Sequence, residues 1–153
     1  MRNLVMIVFS LLMVGCNDKT AIEELALKTE ADWKQELTKE EFLILRKSNT
    51  EKAFTGKYLN TETKGVYVCA GCGSDLFYSA NKYHSGTGWP SFDNAIESSV
   101  KLIADNSDGM QRTEVRCENC DGHLGHRFDD GPLDSTGKRF CINSAALKLN
   151  TKI

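Results

Sequence analysis

Val66-Tyr67-Val68-Cys69-Ala70-Gly71-Cys72-Gly73 joins a short apolar run to two cysteines in one tight turn. Thr113-Glu114-Val115-Arg116-Cys117-Glu118-Asn119-Cys120 repeats that arrangement later in the chain. Two such turns supply four thiolates, which is a common tetrahedral ligand set for a structural Zn²⁺. The sequence therefore predicts one zinc ion that ties together two hairpins distant in sequence, with the ligands Cys69, Cys72, Cys117 and Cys120.

Two other uses of these cysteines are open at this point. They could form two disulfides, or one pair could be a redox-active dithiol. A redox C-x-x-C usually opens a helix within a βαβ unit, and this chain shows no such pattern. We favour zinc because two C-x-x-C turns occur together.

Short apolar runs separated by turn residues predict a mainly β domain. They lie near residues 66–68, 76–78, 101–103, 113–116 and 139–142. The turn Asn106-Ser107-Asp108-Gly109 is expected to close a hairpin between the third and fourth strands. Because no long helical segments separate the strands, the sheets should be antiparallel.

One short helix is predicted before the strands. Thr38 followed by Glu41 forms a capping-box pattern, and Leu37 can pack against Phe42 as a hydrophobic staple. The helix is expected to run to about Lys47, with its apolar residues on the face toward the core.

Composition and charge limit the classes of function. The chain has 153 residues, of which 41% are hydrophobic and 26% charged, which suits one globular domain with a sizeable core. Its formal net charge is −2. Binding to nucleic acid needs a clustered positive field, so no nucleic-acid partner is expected.

The first residues have the pattern of an export signal. Arg2 precedes an apolar run from Leu4 to Val14, which is shorter than the ~20 residues of a spanning helix. The run ends Leu12-Met13-Val14-Gly15-Cys16, which resembles a bacterial lipobox with cleavage before Cys16 and lipidation of its sulfur. The alternatives are an uncleaved membrane anchor and an ordinary signal peptide with an incidental cysteine.

This pattern divides the chain into a lipoprotein-type signal peptide (1–15), a tether (16–32) and a folded domain (33–150). The protein is expected to be an exported bacterial lipoprotein, anchored on the periplasmic or cell-envelope side of a membrane, and a monomer. Disulfides are permitted outside the cytoplasm. Five cysteines remain besides Cys16, an odd number, so at least one of them lies outside any internal disulfide.

Cys141, in Arg139-Phe140-Cys141-Ile142-Asn143, stands outside the metal and anchor sites. In a strand alternate residues share a face, so Arg139 and Asn143 would flank the sulfur while the apolar residues between them anchor the strand. The thiolate is the reactive form of cysteine, and a nearby cation such as Arg139 should lower the thiol pKa. Cys141 is therefore the candidate nucleophile, and the alternative is a buried structural cysteine.

Two further segments contain candidate site residues. Ser85-Gly86-Thr87-Gly88-Trp89-Pro90-Ser91-Phe92 displays Trp89 on extended chain, because Pro90 disfavours helical geometry in the residue before it. Gly122-His123-Leu124-Gly125-His126 places two histidines beside the second cysteine pair. Each feature alone has an ordinary structural explanation, but together they supply a thiol, proton donors and an aromatic wall.

From about Trp33 to Leu149 the chain resembles the methionine sulfoxide reductase B family. The matching motifs, in chain order, are Cys69-x-x-Cys72-Gly73, Gly86-Thr87-Gly88-Trp89-Pro90-Ser91-Phe92, Gly109-Met110-x-Arg112-x-Glu114-Val115-Arg116-Cys117, His123-Leu124-Gly125-His126 and Arg139-Phe140-Cys141-Ile142-Asn143-Ser144. The resemblance implies two antiparallel sheets in a β-tent-like fold with short N-terminal helices and one structural zinc ion. It also implies reduction of the R-epimer of methionine sulfoxide, mainly within oxidised proteins.

The same resemblance implies roles for single residues. Cys141 would attack the sulfoxide sulfur and be left as a sulfenic acid. The other implied site residues bind or protonate the sulfoxide oxygen (His123, His126 and Asn143), hold the substrate methyl group (Trp89, with Phe92) or support the strand and its charge (Arg139 and Asp130).

One departure from the family pattern concerns the recycling of the enzyme. Members that close an internal disulfide have a resolving cysteine at the position of Thr87, which is threonine here. We therefore expect an external thiol, from a thioredoxin-like protein or a small molecule, to reduce the sulfenic acid on Cys141. His84 and Phe140 stand where the family usually has Asp and Tyr, and neither change removes a catalytic group.

Two other classes of function compete with this interpretation. A zinc-ribbon binding module without catalysis would explain the cysteine pairs, but it leaves Cys141, Trp89 and the two histidines unexplained. An exported thiol–disulfide oxidoreductase would need one C-x-x-C free of zinc and a βαβ pattern.

Overall fold

The computed structural model describes residues 28–152, apart from the side chain of Asp108. The predicted export signal, Cys16 and the tether up to residue 27 lie outside this part of the chain. Within the described range, no helix is both long and apolar enough to cross a membrane.

Two short helices, α1 (Glu30–Glu36) and α2 (Lys39–Lys47), precede the sheets. Each begins with a capping box, at Thr29 and at Thr38. The helix predicted from Thr38 is therefore confirmed. The family resemblance implied short N-terminal helices, but no local pattern placed α1, which begins within the stretch assigned to the tether. This helix buries Trp33 in the core at 2% exposure.

Nine strands within residues 28–152 form two sheets. They are β1 (Val66–Cys69), β2 (Asp75–Tyr78), β3 (Lys82–Tyr83), β4 (Ser91–Phe92), β5 (Val100–Asp105), β6 (Arg112–Cys117), β7 (His123–Phe128), β8 (Arg139–Ile142) and β9 (Leu147–Asn150). A three-stranded sheet has the order β2–β1–β9, and a six-stranded sheet has the order β3–β4–β8–β7–β6–β5. All neighbouring strands are antiparallel, which confirms the predicted fold class.

The five predicted strands are all present, as β1, β2, β5, β6 and β8. The predicted turn joins β5 to β6, where Gly109 has a left-handed backbone with φ of 70°. Four strands were not predicted. β3 and β4 are two residues long, too short to leave a pattern, whereas β7 and β9 are recognisable only from their partners in the sheets.

The core between the sheets is built from aromatic rings. Phe77 of β2 stacks on Phe92 of β4 at 4.5 Å between ring centroids, and Tyr67 of β1 meets the same ring edge-on at 5.1 Å. Phe140 of β8 lies 5.8 Å from Phe77. Full burial of each ring contributes roughly 1.5–3 kcal/mol. This cluster packs β4 and β8 against the smaller sheet. It thereby fixes the position of Cys141, which follows Phe140 in β8.

Candidate active site

The four predicted metal ligands lie together where the β1–β2 turn meets the β6–β7 turn. All four Sγ atoms are within 4.8 Å of one another, and the Cys69–Cys120 and Cys72–Cys117 pairs are 3.6 Å apart. A disulfide bond would be ~2.05 Å long, so these are thiols. A tetrahedron with Zn–S bonds of ~2.3 Å has edges of about 3.8 Å. The sulfur positions therefore suit a structural zinc ion in a closed four-thiolate site.

Small and apolar residues enclose this site. A Cβ atom on Gly122 would lie 3.4 Å from the Cys120 sulfur and 3.0 Å from Leu45 of α2. The Arg46 guanidinium donates a hydrogen bond of 2.8 Å to the Cys120 carbonyl oxygen. Helix α2 thus covers the cysteines, and their role is to join the two hairpins beneath it.

Cys141 lies in the middle of the six-stranded sheet. It pairs with Ser91 of β4 on one side and with His126 of β7 on the other. Its neighbours Phe140 and Ile142 are buried in the core, whereas Cys141 is half-buried. Cys141 and Asn143 line one cleft, which agrees with the face predicted for them, although Arg139 and Asn143 are themselves buried.

The Cys141 side chain lines a cleft of about 140 Å³. The cleft brings it together with three of the predicted site residues, Trp89, His126 and Asn143. Other residues that line this cleft were not predicted as site residues: Thr50, Arg112, Gly125 and Phe128. A Cβ atom on Gly125 would lie 2.1 Å from the Cys141 carbonyl oxygen, so only glycine fits beside Cys141 there.

The electrostatic setting of Cys141 differs from the expectation drawn from sequence. Burial raises the pKa of the thiol above its ordinary value, although the Thr87 hydroxyl and the Arg139 guanidinium act in the opposite direction. The predicted effect of Arg139 is present, but removal of the sulfur from water outweighs it. At neutral pH Cys141 is therefore mainly a thiol.

Thr87 stands directly beside the sulfur. Its hydroxyl oxygen is 3.8 Å from the Cys141 Sγ and 2.8 Å from the Ser85 hydroxyl. A cysteine at this position could form a disulfide with Cys141 after a small side-chain movement. In this chain the contact is a hydroxyl group, which cannot resolve a sulfenic acid.

The two histidines occupy different environments. His126 lines the cleft, and its Nε2 is 2.9 Å from a carboxylate oxygen of Asp105. His123 lies behind it at 2% exposure, with Nδ1 2.6 Å from Glu114 and the two imidazole centroids 5.5 Å apart. Burial lowers the pKa of His123, although Glu114 acts against that shift. His126 is thus the histidine placed beside the sulfur.

Arg139 and Asp130 form the predicted supporting pair. The guanidinium donates two hydrogen bonds, of 2.8 and 2.9 Å, to the two carboxylate oxygens. It also lies 4.3 Å from the ring centroid of Phe128, which lines the cleft. The hydrogen bonds from Arg139 lower the pKa of Asp130, so the pair stays ionised.

Phe92 is placed differently from what its predicted role requires. Its ring is fully buried between Phe77 and Tyr67 and does not line the cleft. The register explains this position, because Phe92 pairs with the core residue Phe140 while Ser91 pairs with Cys141. The aromatic residue found beside Trp89 in the cleft is Phe128 instead.

Glu51 is a buried residue that sequence analysis missed. Its carboxylate accepts hydrogen bonds of 2.7 and 3.0 Å from the backbone N–H groups of Ser144 and Ala145. Its own backbone N–H donates to the Asn143 side-chain oxygen at 3.0 Å, and its carbonyl accepts from the Trp89 indole at 3.1 Å. One residue therefore positions two walls of the cleft. No local pattern marks it, because its partners are more than 30 residues away.

Glu51→Ala is expected to lower both stability and activity. It leaves the buried N–H of Ser144 and the partly buried N–H of Ala145 unpaired, at a cost of about 1–3 kcal/mol for a buried group. It also frees the segment that holds Asn143 and Trp89. We expect unfolding free energy to fall by about 2–4 kcal/mol in urea titrations and kcat/KM to fall by about 10-fold or more. Glu62→Ala, at an exposed carboxylate, is the control. Wild-type unfolding and turnover in Glu51→Ala would contradict this role.

The matching family model and the most similar curated proteins agree on one family. The model of the SelR domain matches residues 37–151, which include both cysteine pairs and every cleft residue. A peptide methionine sulfoxide reductase MsrB of Acinetobacter baylyi is 53% identical over 125 residues, covering 81% of this chain and 89% of that protein. Its namesake from Leptospira interrogans is 54% identical over 122 residues, covering 79% and 92%. The chloroplastic peptide methionine sulfoxide reductase B1 of Oryza sativa is also 54% identical over 122 residues, covering 79% and 56%.

Proposed function

Because the chain belongs to the methionine sulfoxide reductase B family and is a peptide-methionine (R)-S-oxide reductase, we propose that the reaction takes place in the cleft at Cys141. This placement is supported by one observation: the half-buried Cys141 thiol, Trp89 and His126 line the same small cleft. The binding-module and thiol–disulfide interpretations account for neither the family nor this cleft.

The proposed first step is attack of the Cys141 sulfur on the sulfoxide sulfur. This attack forms a bond between the two sulfurs, and the protonated sulfoxide oxygen leaves as water. Water then attacks the Cys141 sulfur, the sulfur–sulfur bond breaks to release the thioether and a proton, and Cys141 is left as a sulfenic acid. Methionine sulfoxide gains two electrons and becomes the thioether, while the thiol loses two. The thiol proton balances the sulfenic acid, so the step consumes no further proton overall. A mainly protonated Cys141 suits this balance, provided that a neighbouring group relays the proton.

We assign that relay to His126. It lines the cleft beside Cys141. A hydrogen bond between its Nε2 and the Asp105 carboxylate fixes the orientation of the ring. Asp105 keeps its charge because hydrogen bonds from Ser107 and His126 lower its pKa. His123 would act through its neighbour, since it is buried and bonded to Glu114.

Asn143 is proposed to bind the sulfoxide oxygen. Its Nδ2 donates one hydrogen bond of 3.0 Å to the Leu124 carbonyl, and its second N–H bond remains for a ligand. Trp89 and Phe128 supply apolar surface for the methyl group. An apolar wall together with hydrogen-bond donors is the combination that can distinguish two sulfoxide epimers.

Incubation with both epimers of N-acetyl-methionine sulfoxide and dithiothreitol tests this function. We expect the R-epimer to be consumed and the S-epimer to be reduced at least about 100-fold more slowly. In the S-epimer the sulfoxide oxygen would point away from its hydrogen-bond donors when the methyl group is in its apolar site. Chiral chromatography of the remaining substrate measures the ratio. Equal consumption of both epimers would show that the cleft does not select by configuration.

We also propose that an external thiol recycles the enzyme. Two molecules of a small thiol, or one dithiol protein of the thioredoxin type, would convert the sulfenic acid to thiol and water and become a disulfide themselves. The presence of Thr87 beside Cys141 supports this route, because the other described cysteines belong to the zinc cluster.

A single turnover without reductant distinguishes the two routes of recycling. We expect dimedone to label Cys141 in the wild-type protein at close to one adduct per chain, because the other cysteines within residues 28–152 lie in the zinc cluster. In Thr87→Cys the adduct should fall about 10-fold as an intramolecular disulfide forms at the 3.8 Å contact. Peptide mass spectrometry measures both products, and Cys141→Ser is the unlabelled control. An intramolecular disulfide in the wild-type protein would contradict external recycling.

The apolar run that ends at Cys16 supports a further proposal about location. We propose that the chain is exported, cleaved before Cys16 and held to a membrane by lipid on that cysteine, where a monomer repairs oxidised methionines of exported proteins. Metabolic labelling of the full chain with radioactive palmitate tests this, and label that persists in Cys16→Ser would rule it out.

A further inference from the structure

Phe54 is an exposed aromatic residue in a strained backbone conformation. Its ring is 69% exposed, and its φ of 66° lies in the left-handed region. Residues with a bulky side chain rarely adopt that region, because their Cβ approaches the following carbonyl oxygen. Burial of the ring in the folded chain offsets little of this cost. The strain is therefore not explained by packing within the protein.

The turn that carries Trp89 holds Phe54 in place. The Phe54 backbone N–H donates a hydrogen bond of 2.8 Å to the Gly88 carbonyl oxygen. A Cβ atom on Gly88 would lie 3.0 Å from the Phe54 ring and 2.9 Å from the Ala53 Cβ. Because Gly88 has no side chain, the ring can lie directly against the turn. The position of Phe54 relative to the cleft at Cys141 is thus fixed.

A second cavity, of about 260 Å³, lies beside this ring. Phe54, Leu59, Tyr83 and Trp89 are among the residues that line it. Trp89 also lines the cleft at Cys141, so the indole separates two neighbouring spaces. No carboxylate and no amine lines the second cavity, and His84 is its one basic residue. Asn60 and Ser85 also line it. The cavity therefore suits an uncharged side chain that contacts the apolar surface of Phe54, Leu59 and Trp89.

We propose that this cavity, the Phe54 subsite, binds an apolar side chain of the polypeptide substrate close to the oxidised methionine. The proposal rests on the function assigned to the cleft at Cys141. Two residues of an extended peptide span about 7 Å, so a chain whose sulfoxide enters the cleft can place a nearby side chain beyond the indole. The exposed Phe54 ring then gains in the complex the apolar contact that it lacks in the free protein.

Phe54→Asn tests the subsite. Asparagine adopts the left-handed region more readily than phenylalanine, so the backbone is preserved while the apolar ring is removed. Three substrates are compared with dithiothreitol as reductant: N-acetyl-methionine-R-sulfoxide, a peptide with leucine on both sides of the sulfoxide residue, and the same peptide with aspartate. We expect the kcat/KM ratio of the leucine peptide to the single amino acid to fall by about 10-fold. The ratio for the aspartate peptide should change little.

Two variants keep this result interpretable. Phe54→Gly also removes the ring and relaxes the left-handed strain, and it should show the same fall in the ratio. Tyr78→Ala removes an exposed aromatic ring from β2, outside both cavities, and should leave the ratio unchanged.

The outcomes separate the subsite from the function on which it rests. An unchanged ratio in Phe54→Asn and Phe54→Gly overturns the subsite alone. Wild-type protein that reduces none of the three substrates overturns the function at Cys141, and the subsite with it. A defect that occurs only when a thioredoxin replaces dithiothreitol assigns Phe54 to reductant docking, which also overturns the proposal.

Discussion

Cys141→Ser is expected to abolish reduction of methionine-R-sulfoxide, with a loss in kcat/KM of about 10⁴-fold or more. A serine hydroxyl has a much higher pKa than a thiol and cannot be oxidised to the equivalent of a sulfenic acid. No second thiol in the described part of the chain lines the cleft, because the other four cysteines there belong to the zinc cluster. The loss should therefore appear in the chemical step itself.

The measurement is single-turnover reduction of N-acetyl-methionine-R-sulfoxide, which separates chemistry from recycling. Serine replaces one atom at a half-buried position, so near-ultraviolet circular dichroism and zinc content should match the wild-type protein. Loss of a nucleophile lowers a rate by orders of magnitude. If the variant keeps its fold and zinc content and also retains more than about 1% of the wild-type rate, the nucleophile lies elsewhere.

Removal of zinc is expected to unfold the domain. Structural zinc contributes an apparent ~10–16 kcal/mol in small zinc-binding peptides, which is as large as the ~5–15 kcal/mol by which a typical domain is stable. The cluster joins the β1–β2 and β6–β7 hairpins beneath α2, and Cys69 and Cys117 are fully buried within it. Without the ion, four thiol groups would lie close together with nothing to bind them. Any that ionised would repel one another, which would destabilise the folded state.

Native mass spectrometry should find one zinc ion per chain in the wild-type protein and none in Cys117→Ser. Chelation, or this substitution, should abolish the cooperative thermal transition and the near-ultraviolet signal of the aromatic core. Cys141→Ser is the matched control, since it also replaces a cysteine by serine and should keep both its zinc and its transition. Folded, metal-free protein with the wild-type transition would show that the four cysteines do not depend on an ion.

Local patterns were sufficient wherever a structure is stabilised by residues close in sequence. The capping box at Thr38 was recognisable because its two partners are three residues apart, and the alternation around Cys141 was recognisable because a strand has a period of two. The cysteine pairs belong to the same class, since each pair lies in one turn.

Strand β7 shows where local patterns fail. His123–Phe128 has no alternation of apolar and polar residues, and Gly125 lies at its centre. Its backbone is nevertheless paired on both sides, with β6 and with β8. A central strand of this kind is specified by its neighbours rather than by its own propensity. For that reason the local pattern placed the two histidines only beside the second cysteine pair, and the expectation that they act together with Cys141 came from the family resemblance.

Short stretches of sequence were enough to predict the zinc ligands and the candidate nucleophile Cys141, and to show that Thr87 stands where related enzymes have a resolving cysteine. The tertiary structure alone decided that His126 rather than His123 lies beside the sulfur, that Phe92 belongs to the core, and that Glu51 positions the cleft. It also reversed the expected pKa shift of Cys141. The physical reason is common to these cases, because burial and contacts between distant residues arise only when the chain packs, and no short stretch of sequence records them.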